Sequence, residues 1–253
     1  MSKRAVLERL ASGDIDVATA EAELAVAPLI EVRDAVVDLH RALRQGVPEV
    51  IFGKDKTPEQ IVTIARTLLD QHQNVLVTRA DSAAQGALRA SFPEARAHAV
   101  ARTVRIEPSP AQRRALRVAV VTAGTTDLPA AEEAIETLDA LGIAAERIVD
   151  VGVAGLHRIL GRLEDLRRQD AVIVVAGMEG ALPSVVAGLV AVPVVAVPTS
   201  TGYGAALDGF TAMMANLTSC GSGVTVVNIN NGFGAAMAVF RIAKIDRSKE
   251  SAS

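Results

Sequence analysis

Apolar residues in the second half of the chain form five short runs, and a segment of helical character follows each run. The runs are RVAVVTA (117–123), ERIVDVG (146–152), AVIVVAG (171–177), VPVVAVP (192–198) and GVTVVNI (223–229). The segments that follow them are LPAAEEAIETLDALG, GLHRILGRLEDLRR, EGALPSVVAGLV, LDGFTAMMANL and NNGFGAAMAVFRIAK. Strands that alternate with helix-length segments predict right-handed βαβ crossovers and a five-stranded parallel sheet.

The loops that follow these predicted strands are rich in small polar residues. They read TAGTTD, DVGVAGLHR, AGMEGALP, PTSTGYGA and NINNGFGA. The carboxyl ends of parallel strands meet at one edge of the sheet, and open α/β sheets bind their ligands there. We therefore expect the five loops to converge on one binding site.

The first half of the chain has a mixed pattern that predicts a small α+β unit without defining its topology. Residues 3–11 and 17–26 resemble two short helices, the second capped by Asp14 or Asp16. The capping-box spacing of TPEQ, with proline at the first helical position, predicts a helix over 58–71. NVLVTR and AHAV are typical of strands, and DSAAQGALRASF between them is typical of a helix.

A change in composition near RIEPSPAQRR (105–114) predicts a linker, because two prolines and three arginines interrupt the periodic segments. We accordingly predict two domains. The first covers residues 1–110, and the second, which covers residues 115–247, is a three-layer α/β/α domain.

Composition narrows the class of protein. Half of the 253 residues are hydrophobic but only 2% are aromatic, so Ala, Val, Leu and Ile must build the core, as is usual for parallel sheets covered by helices. The net charge of -3 argues against a nucleic-acid partner. A single cysteine cannot form an intramolecular disulfide, which favours a reducing, cytoplasmic location.

We expect neither a targeting segment nor a membrane span. The first residues, MSKRAVLERLASGDID, lack the apolar run of a signal peptide. No charged residue lies between Gly180 and Leu207, but Pro183, Pro193 and Pro198 interrupt that stretch. A spanning helix needs about 20 mostly apolar residues without such breaks. A buried helix and a buried strand, in a soluble protein, fit this stretch better.

Two side chains close to the ends of predicted strands have the chemistry of catalysis. Cys220, the only cysteine, lies in the turn SCGSG and is either a small buried apolar residue or an exposed nucleophile. Glu179 follows the buried strand AVIVVAG. It is either an acid favoured by the positive end of a helix dipole or a proton acceptor in a partly apolar pocket.

Two further loops have features of phosphate binding. TAGTTDLP, from Thr122 to Pro129, is a small-residue loop before a helix, although Thr126 or Asp127 would also serve there as an ordinary helix cap. It has neither dinucleotide nor Walker spacing. His157 and Arg158 form either a surface pair or a phosphate-binding fork.

Other common catalytic arrangements are not indicated. The four histidines, at positions 40, 72, 98 and 157, show no metal-ligand spacing with the one cysteine, so we expect no tight metal site. A Ser-His-Asp hydrolase is disfavoured because the chain has no G-x-S-x-G motif.

Several long motifs, in order and across nearly the whole chain, resemble the LarB family, pyridinium-3,5-biscarboxylic acid mononucleotide synthase. They include RQGVPEVIFGKDKTPEQI, VLVTRAD, TAGTTDLPAAEEA, VVAGMEGALPSVVAGLV and SCGSGVTVVNINNGFGAA. The C-terminal half is also similar to the PurE family, aminoimidazole ribonucleotide carboxylase/mutase. This resemblance implies a PurE-like α/β/α catalytic domain and a homo-octamer with its sites at subunit interfaces.

The LarB resemblance implies the first step of nickel-pincer nucleotide cofactor synthesis. The family adds CO2 to C5 of the pyridinium ring of nicotinic acid adenine dinucleotide and hydrolyses the phosphoanhydride, which yields AMP and the biscarboxylated mononucleotide. Cys220 would add to C4 and make C5 nucleophilic, and Glu179 would accept the C5 proton. CO2 is a substrate, no cofactor is tightly bound, and Mg2+ held by the substrate phosphates would need no protein cluster.

The expected substrate-binding residues lie in the loops that follow the strands, with Thr125, Asp127 and Arg158 assigned to the mononucleotide half. The full set is Gly124, Thr125, Thr126, Asp127, His157, Arg158, Met178, Ser200, Gly202, Tyr203, Asn230, Asn231 and Gly232. Two other functions stay open. One is a PurE-type carboxylase/mutase acting on aminoimidazole ribonucleotide, and the other is a nucleotide-binding module without turnover, in which Cys220 and Glu179 would be dispensable.

Overall fold

The computed structural model describes residues 3–25, 29–32, 35–39 and 41–250. Its first half contains helices α1 (Lys3–Ala11), α2 (Val17–Ala25), α3 (Arg41–Gln45), α4 (Pro58–Asp70) and α5 (Ser82–Ser91). The strands there are β1 (Leu29–Val32), β2 (Ala35–Asp38), β3 (Val50–Phe52), β4 (Val75–Thr78), β5 (Arg96–His98) and β6 (Thr103–Ile106). β1 and β2 pair antiparallel, and the other four form a mixed sheet in the order β3-β4-β6-β5.

Two local signals of the first half are confirmed. Thr57 and Gln60 form the predicted capping box of α4, in which each side chain accepts a hydrogen bond from the other residue's backbone N–H. At α2 it is Asp16, one of the two predicted caps, whose carboxylate accepts from the Thr19 N–H at 2.8 Å.

The second half contains a parallel sheet, as the alternating pattern predicts. Its strands are β7 (Val118–Thr122), β8 (Ala145–Ile148), β9 (Ala171–Ala176), β10 (Val194–Pro198) and β11 (Val224–Val226). Its helices are α6 (Leu128–Ala140), α7 (Leu156–Leu160), α8 (Leu163–Arg167), α9 (Leu182–Ala187), α10 (Phe210–Leu217) and α11 (Gly232–Glu250). The strand order is β11-β10-β9-β7-β8, and every neighbouring pair is parallel.

Helices cover both faces of this sheet, so the second half has the predicted three layers. Along β7, Val118 and Val120 pack on α6 and α11, whereas Ala119 and Val121 pack on α7, α8 and α9. Such alternation is the two-residue period of a strand buried on both faces. The carboxyl ends of the five strands therefore share one edge, which we call the carboxyl edge.

Several predicted boundaries differ from the structure. The stretch GLHRILGRLEDLRR is two helices, because α7 ends at Leu160, with Gly161 as its C-cap, and the backbone of Arg162 leaves the helical region. The predicted strand 146–152 ends at Ile148, since Asp150 turns the chain with a φ of 58°. The predicted strand 223–229 is reduced to β11.

The predicted linker begins too early. Its first two residues, Arg105 and Ile106, belong to β6 and are buried. Arg105 is charged, but its guanidinium forms ion pairs with Glu107, Glu136 and Asp139, so the charge does not mark a surface segment. Among the described residues, no helix is long and apolar enough to cross a membrane.

Candidate active site

The loop after β7 is organised by a buried carboxylate. Asp127 is 2% exposed, and its Oδ2 accepts a hydrogen bond from the Gly124 N–H at 2.9 Å. Its Oδ1 accepts from Thr199 Oγ1 at 2.6 Å. Asp127 thus fixes the loop internally and joins it to the end of β10, while Thr125 and Thr126 are exposed at the carboxyl edge.

The loop after β9 exposes Met178 and Glu179 at the same edge. Its shape depends on Gly177, where an added Cβ would lie 2.6 Å from Thr199 Oγ1 and 2.4 Å from the Thr201 carbonyl oxygen. Met178 has a left-handed φ of 54°, and its N–H donates to the Thr201 carbonyl at 2.7 Å. The loop is therefore held against the loop after β10, and the Glu179 carboxylate extends towards solvent.

The loop after β8 brings an arginine to the carboxyl edge. Arg158 Nη1 lies 2.8 Å from Asp150 Oδ2, and the Asp150 N–H donates to Thr122 Oγ1 at 3.1 Å. His157 is exposed beside Arg158. The ion pair uses only one side of the guanidinium, so the remaining N–H groups are available to an anion.

The loops after β10 and β11 are joined by a reciprocal pair of hydrogen bonds. The Ser200 N–H donates to Asn230 Oδ1 at 3.0 Å, and Asn230 Nδ2 donates to Ser200 Oγ at 2.8 Å. Asn230 has a left-handed φ of 57°, which asparagine tolerates better than most residues. Gly202 and Tyr203 follow on the exposed part of the β10 loop, where Tyr203 is 84% exposed.

Two of the predicted binding residues, Asn231 and Gly232, have structural roles that explain why these residue types occur there. Asn231 Oδ1 accepts from the Gly234 N–H at 2.8 Å and thereby caps α11. At Gly232 an added Cβ would lie 2.0 Å from the Ala130 carbonyl oxygen, because α11 packs closely against α6 there.

Cys220 is exposed but lies apart from the other predicted site residues. It precedes β11, whose first residue Val224 pairs with Val194, the first residue of β10. The cysteine turn is therefore at the amino edge of the sheet. There Ser219 Oγ lies 2.7 Å from Ser184 Oγ, and an added Cβ at Gly221 would lie 2.8 Å from Ala187 Cβ.

The path of α10 explains this separation. α10 carries the chain from the carboxyl edge, where β10 ends, back to the amino edge, where β11 begins. At about 3.3 Å per residue, the five residues of β10 separate the two edges by roughly 13 Å. Within one chain the Cys220 thiol and the Glu179 carboxylate thus lie at opposite edges of the sheet.

The first half of the chain adds an arginine that the predicted site omits. Arg79 follows β4 with a left-handed φ of 56°. Its Nε lies 2.6 Å from Glu133 Oε1, and its Nη2 donates to Glu133 Oε2 at 3.2 Å and to the Asn230 carbonyl. Arg79 is not among the predicted site residues, and the only signal in the sequence that could have found it is its place at the end of a predicted strand.

The described residues contain no group of three or more His, Cys, Asp or Glu side chains that could hold a metal ion. His40, one of the four histidines considered above, lies outside the described residues. Three carboxylates at or beside the predicted binding loops, Asp127, Glu133 and Asp150, are engaged in the hydrogen bonds or ion pairs given above, whereas Glu179 is exposed.

Comparisons with known proteins divide the chain in two. Residues 30–108 match the LarB/PurE-like N-terminal domain, and residues 117–252 match the AIR carboxylase family. An uncharacterized protein of Methanocaldococcus jannaschii is 37% identical over 253 aligned residues, which cover 96% of this chain and 97% of that protein. The N5-carboxyaminoimidazole ribonucleotide mutase of the same organism is 33% identical over 129 residues, which cover 49% of this chain and 77% of the mutase.

Solved structures similar to this chain include two PurE proteins of Treponema denticola. PurE is 21% identical, with a TM-score of 0.43 over 51% of this chain and 80% of that chain. The variant PurE2-S38D is 17% identical, with a TM-score of 0.39 over 53% of this chain and 94% of that chain.

Proposed function

The chain belongs to the LarB family, whose C-terminal domain is of the PurE-like carboxylase type, and from this premise we propose that it carboxylates and hydrolyses nicotinic acid adenine dinucleotide. The observation that carries the proposal is the union of the LarB-type N-terminal domain with the AIR carboxylase domain. The products are AMP and pyridinium-3,5-biscarboxylic acid mononucleotide. This would be the first step of nickel-pincer nucleotide cofactor synthesis.

The pyridinium ring needs an activating nucleophile because its C5 is too electron-poor to attack CO2. Addition of the Cys220 thiolate to C4 converts the ring to an enamine, and C5 then forms a bond to CO2. Glu179 accepts the C5 proton, the C4–S bond breaks and the ring regains its aromaticity. A thiolate suits both steps, since it is a strong nucleophile and an adequate leaving group.

The exposure of both side chains supports these roles. Neither the Cys220 thiol nor the Glu179 carboxylate is buried, so a substrate can approach both. Thr125, Asp127 and Arg158 would position the mononucleotide half, Asp127 by holding its loop and Arg158 by donating to phosphate. Mg2+ bound through the substrate phosphates would assist hydrolysis of the phosphoanhydride.

The roles proposed for Cys220 and Glu179 require more than one protomer. C4 and C5 are bonded to each other, so the thiol and the base must reach neighbouring atoms of one ring. Within a chain the two side chains lie at opposite edges of the sheet. We therefore assign Glu179 to one protomer and Cys220 to another, which fits the expected octamer with sites at subunit interfaces.

An exposed apolar stripe supports such an interface. Phe210, Met214 and Leu217 lie at i, i+4 and i+7 on α10 and are all exposed. The stripe leads directly to the cysteine turn. Contiguous exposed apolar surface of this kind is typical of protein–protein contacts, and a second copy bound here would bring its own loops to Cys220.

Mass spectrometry of reaction mixtures tests the proposed reaction. Purified protein is incubated with nicotinic acid adenine dinucleotide, bicarbonate and Mg2+, and we expect AMP together with a mononucleotide heavier by one carboxyl group. Cys220→Ala should abolish carboxylation while the oligomer persists. Ser222→Ala, an exposed residue of the same turn, is the matched control and should retain activity. Normal carboxylation by Cys220→Ala would contradict the mechanism.

A PurE-type reaction is the second candidate, because the similarity to the ribonucleotide mutase is specific enough to test. The aminoimidazole ring of a PurE-type substrate is already enamine-like, so its carboxylation needs no covalent nucleophile. Incubation with N5-carboxyaminoimidazole ribonucleotide would then give product in wild-type and Cys220→Ala protein alike. The LarB-type reaction predicts no turnover of this substrate by either protein.

A further inference from the structure

A cavity of about 170 Å³ lies between the two halves of the chain, beside the carboxyl edge. Arg79 and Arg102 line it from the first half, and Thr126, Glu133, Ser200 and Asn230 are among the residues that line it from the second. Ligand pockets usually measure about 300–1,000 Å³. This cavity is therefore the size of one chemical group of a larger ligand rather than of a whole dinucleotide.

Two cations, Arg79 and Arg102, and two carboxylates, Asp127 and Glu133, line the cavity, and they differ in how they are engaged. Arg79 is paired with Glu133, and the Asp127 carboxylate accepts from Gly124 and Thr199. Arg102, in contrast, is exposed at the cavity, and its guanidinium has no hydrogen bond or ion pair with any described residue. An anion bound at the cavity would therefore find its free cationic partner in Arg102.

The backbone indicates that the two arginines are held in place as a unit. Arg79 and Arg102 have φ angles of 56° and 54°, in the left-handed region that residues other than glycine seldom adopt. The Ala80 N–H donates to the Arg102 carbonyl at 2.8 Å, which joins the two turns. Strained backbone of this kind persists where the surrounding structure enforces it, and it clusters at ligand-binding sites.

We propose that this cavity binds the phosphate of the adenylate half of the dinucleotide, with Arg102 as the cation that receives it. The identity of the ligand rests on the function proposed above. The mononucleotide half would then lie along the loops after β7 and β8, near Arg158, and the adenylate half would extend towards the first half of the chain. Arg79 acts as a positioning residue, since Glu133 and Asn230 accept hydrogen bonds from its Nε and Nη2.

Titration of AMP into the full-length protein, followed by calorimetry, tests this proposal without requiring turnover. We expect Arg102→Ala to weaken AMP binding about 10- to 100-fold, the usual effect of losing a hydrogen-bonded ion pair. Arg89→Ala is the matched control, because Arg89 is an exposed arginine near the far end of α5 with no partner among the described residues. It should bind AMP like the wild type.

A second variant separates binding from folding. Arg102→Gly removes the guanidinium and relieves the left-handed backbone at once, so it should unfold at a temperature no lower than the wild type and still lose AMP binding. In turnover assays Arg102→Ala should raise KM for the dinucleotide and leave kcat unchanged, because Arg102 lies away from the reacting ring.

Three results would overturn the proposal: unchanged AMP affinity in Arg102→Ala, no binding of AMP to wild type at millimolar concentration, or inorganic phosphate binding as tightly as AMP. Each differs from failure of the proposed function. If AMP binding depends on Arg102 but the dinucleotide is not turned over, the cavity assignment stands and the reaction is wrong. If the dinucleotide is turned over but AMP binds Arg102→Ala as tightly as wild type, the reaction stands and the cavity assignment is wrong.

Discussion

Thr199 Oγ1 donates a 2.6 Å hydrogen bond to Asp127 Oδ1, and this contact joins loops whose strands, β10 and β7, are separated in the sheet by β9. Both residues are 2% exposed. Thr199→Val preserves shape but removes the donor, so a buried carboxylate oxygen loses its partner. We expect a loss of about 1–3 kcal/mol in the free energy of unfolding, measured by urea denaturation.

The control for this substitution is Thr225→Val, at an exposed position of β11. The substitution there removes an exposed hydroxyl, so the free energy of unfolding should change by less than about 0.5 kcal/mol. Equal stability of Thr199→Val and wild type would show that the Asp127 bridge does not hold the carboxyl edge together.

The close approach of α11 to α6 predicts that Gly232 tolerates no side chain. An added Cβ would lie 2.0 Å from the Ala130 carbonyl oxygen, so Gly232→Ala must displace one helix. Overpacking of this kind costs about 1–3 kcal/mol. Gly86→Ala, inside α5 with nothing within 4 Å of the added Cβ, should instead stabilise the protein by about 0.5–1 kcal/mol. Thermal unfolding of both variants measures the contrast.

The parts of the fold that could be predicted are those whose signals lie in neighbouring residues of the sequence. The period of two along β7 and the capping box at Thr57 depend on neighbouring residues, and both predictions are confirmed. β1, β2, β3 and β6 were missed because each has only three or four residues, and all but β3 contain a charged residue, such as Glu31 or Arg105. Arg105 is buried only because Asp139 and Glu107 accompany it, and no local pattern records such partners.

The candidate site shows the same limit. The loops that meet at the carboxyl edge followed from the strand pattern, and the structure brings Asp127, Glu179 and Arg158 to that edge. The position of Cys220 did not follow, because proximity in sequence to Asn230 hides the fact that β11 separates them. The cavity lined by Arg79 and Arg102 could not be predicted from the strand pattern either, since it depends on how the two halves of the chain pack.

Arg79 and Glu133 form an ion pair between the two halves of the chain. Removing only the cation should destabilise the protein more than removing both charges. The Glu133 side chain is 2% exposed, so Arg79→Ala leaves a buried carboxylate without its cation. We expect destabilisation of about 3–5 kcal/mol. Adding Glu133→Gln to this variant removes the unpaired charge and should restore part of the loss. If the double variant were less stable than Arg79→Ala, the charge argument would be wrong.

Asp139 makes the stability of the protein depend on pH in the acid range. Burial acts to raise the pKa of Asp139, but hydrogen bonds from Arg105 and Arg113 outweigh it and lower the pKa below its usual value. A carboxyl group whose pKa is lowered by folding stabilises the folded state above its unfolded pKa, about 3.9. That contribution is lost as pH falls through the lower, folded pKa.

The comparison of wild type with Asp139→Asn isolates this contribution. At pH 7 the variant should be less stable, and the gap between the two proteins should narrow as pH falls below about 4, because protonated Asp139 then resembles asparagine. Denaturant titrations at pH 7, 5 and 3 measure the gap. A gap that is the same at all three pH values would mean that Asp139 does not carry the effect.

The separation of Cys220 from Glu179 predicts complementation between two inactive variants. Cys220→Ala and Glu179→Gln should each abolish carboxylation as homo-oligomers. In hetero-oligomers formed by co-expression, a site that takes Glu179 from the Cys220→Ala subunit and Cys220 from the Glu179→Gln subunit is intact. Random mixing in equal amounts should restore about a quarter of wild-type activity, since each of the two contributions is correct half the time.

A second mixture distinguishes shared sites from sites within one chain. Wild type mixed equally with the Cys220→Ala/Glu179→Gln double variant should again give about a quarter of full activity if two protomers build each site. If one chain supplied both residues, this mixture would give about half, and the mixture of single variants would give none. The second pattern would mean that the cysteine turn reaches the carboxyl edge of its own sheet, against the direction in which α10 carries it.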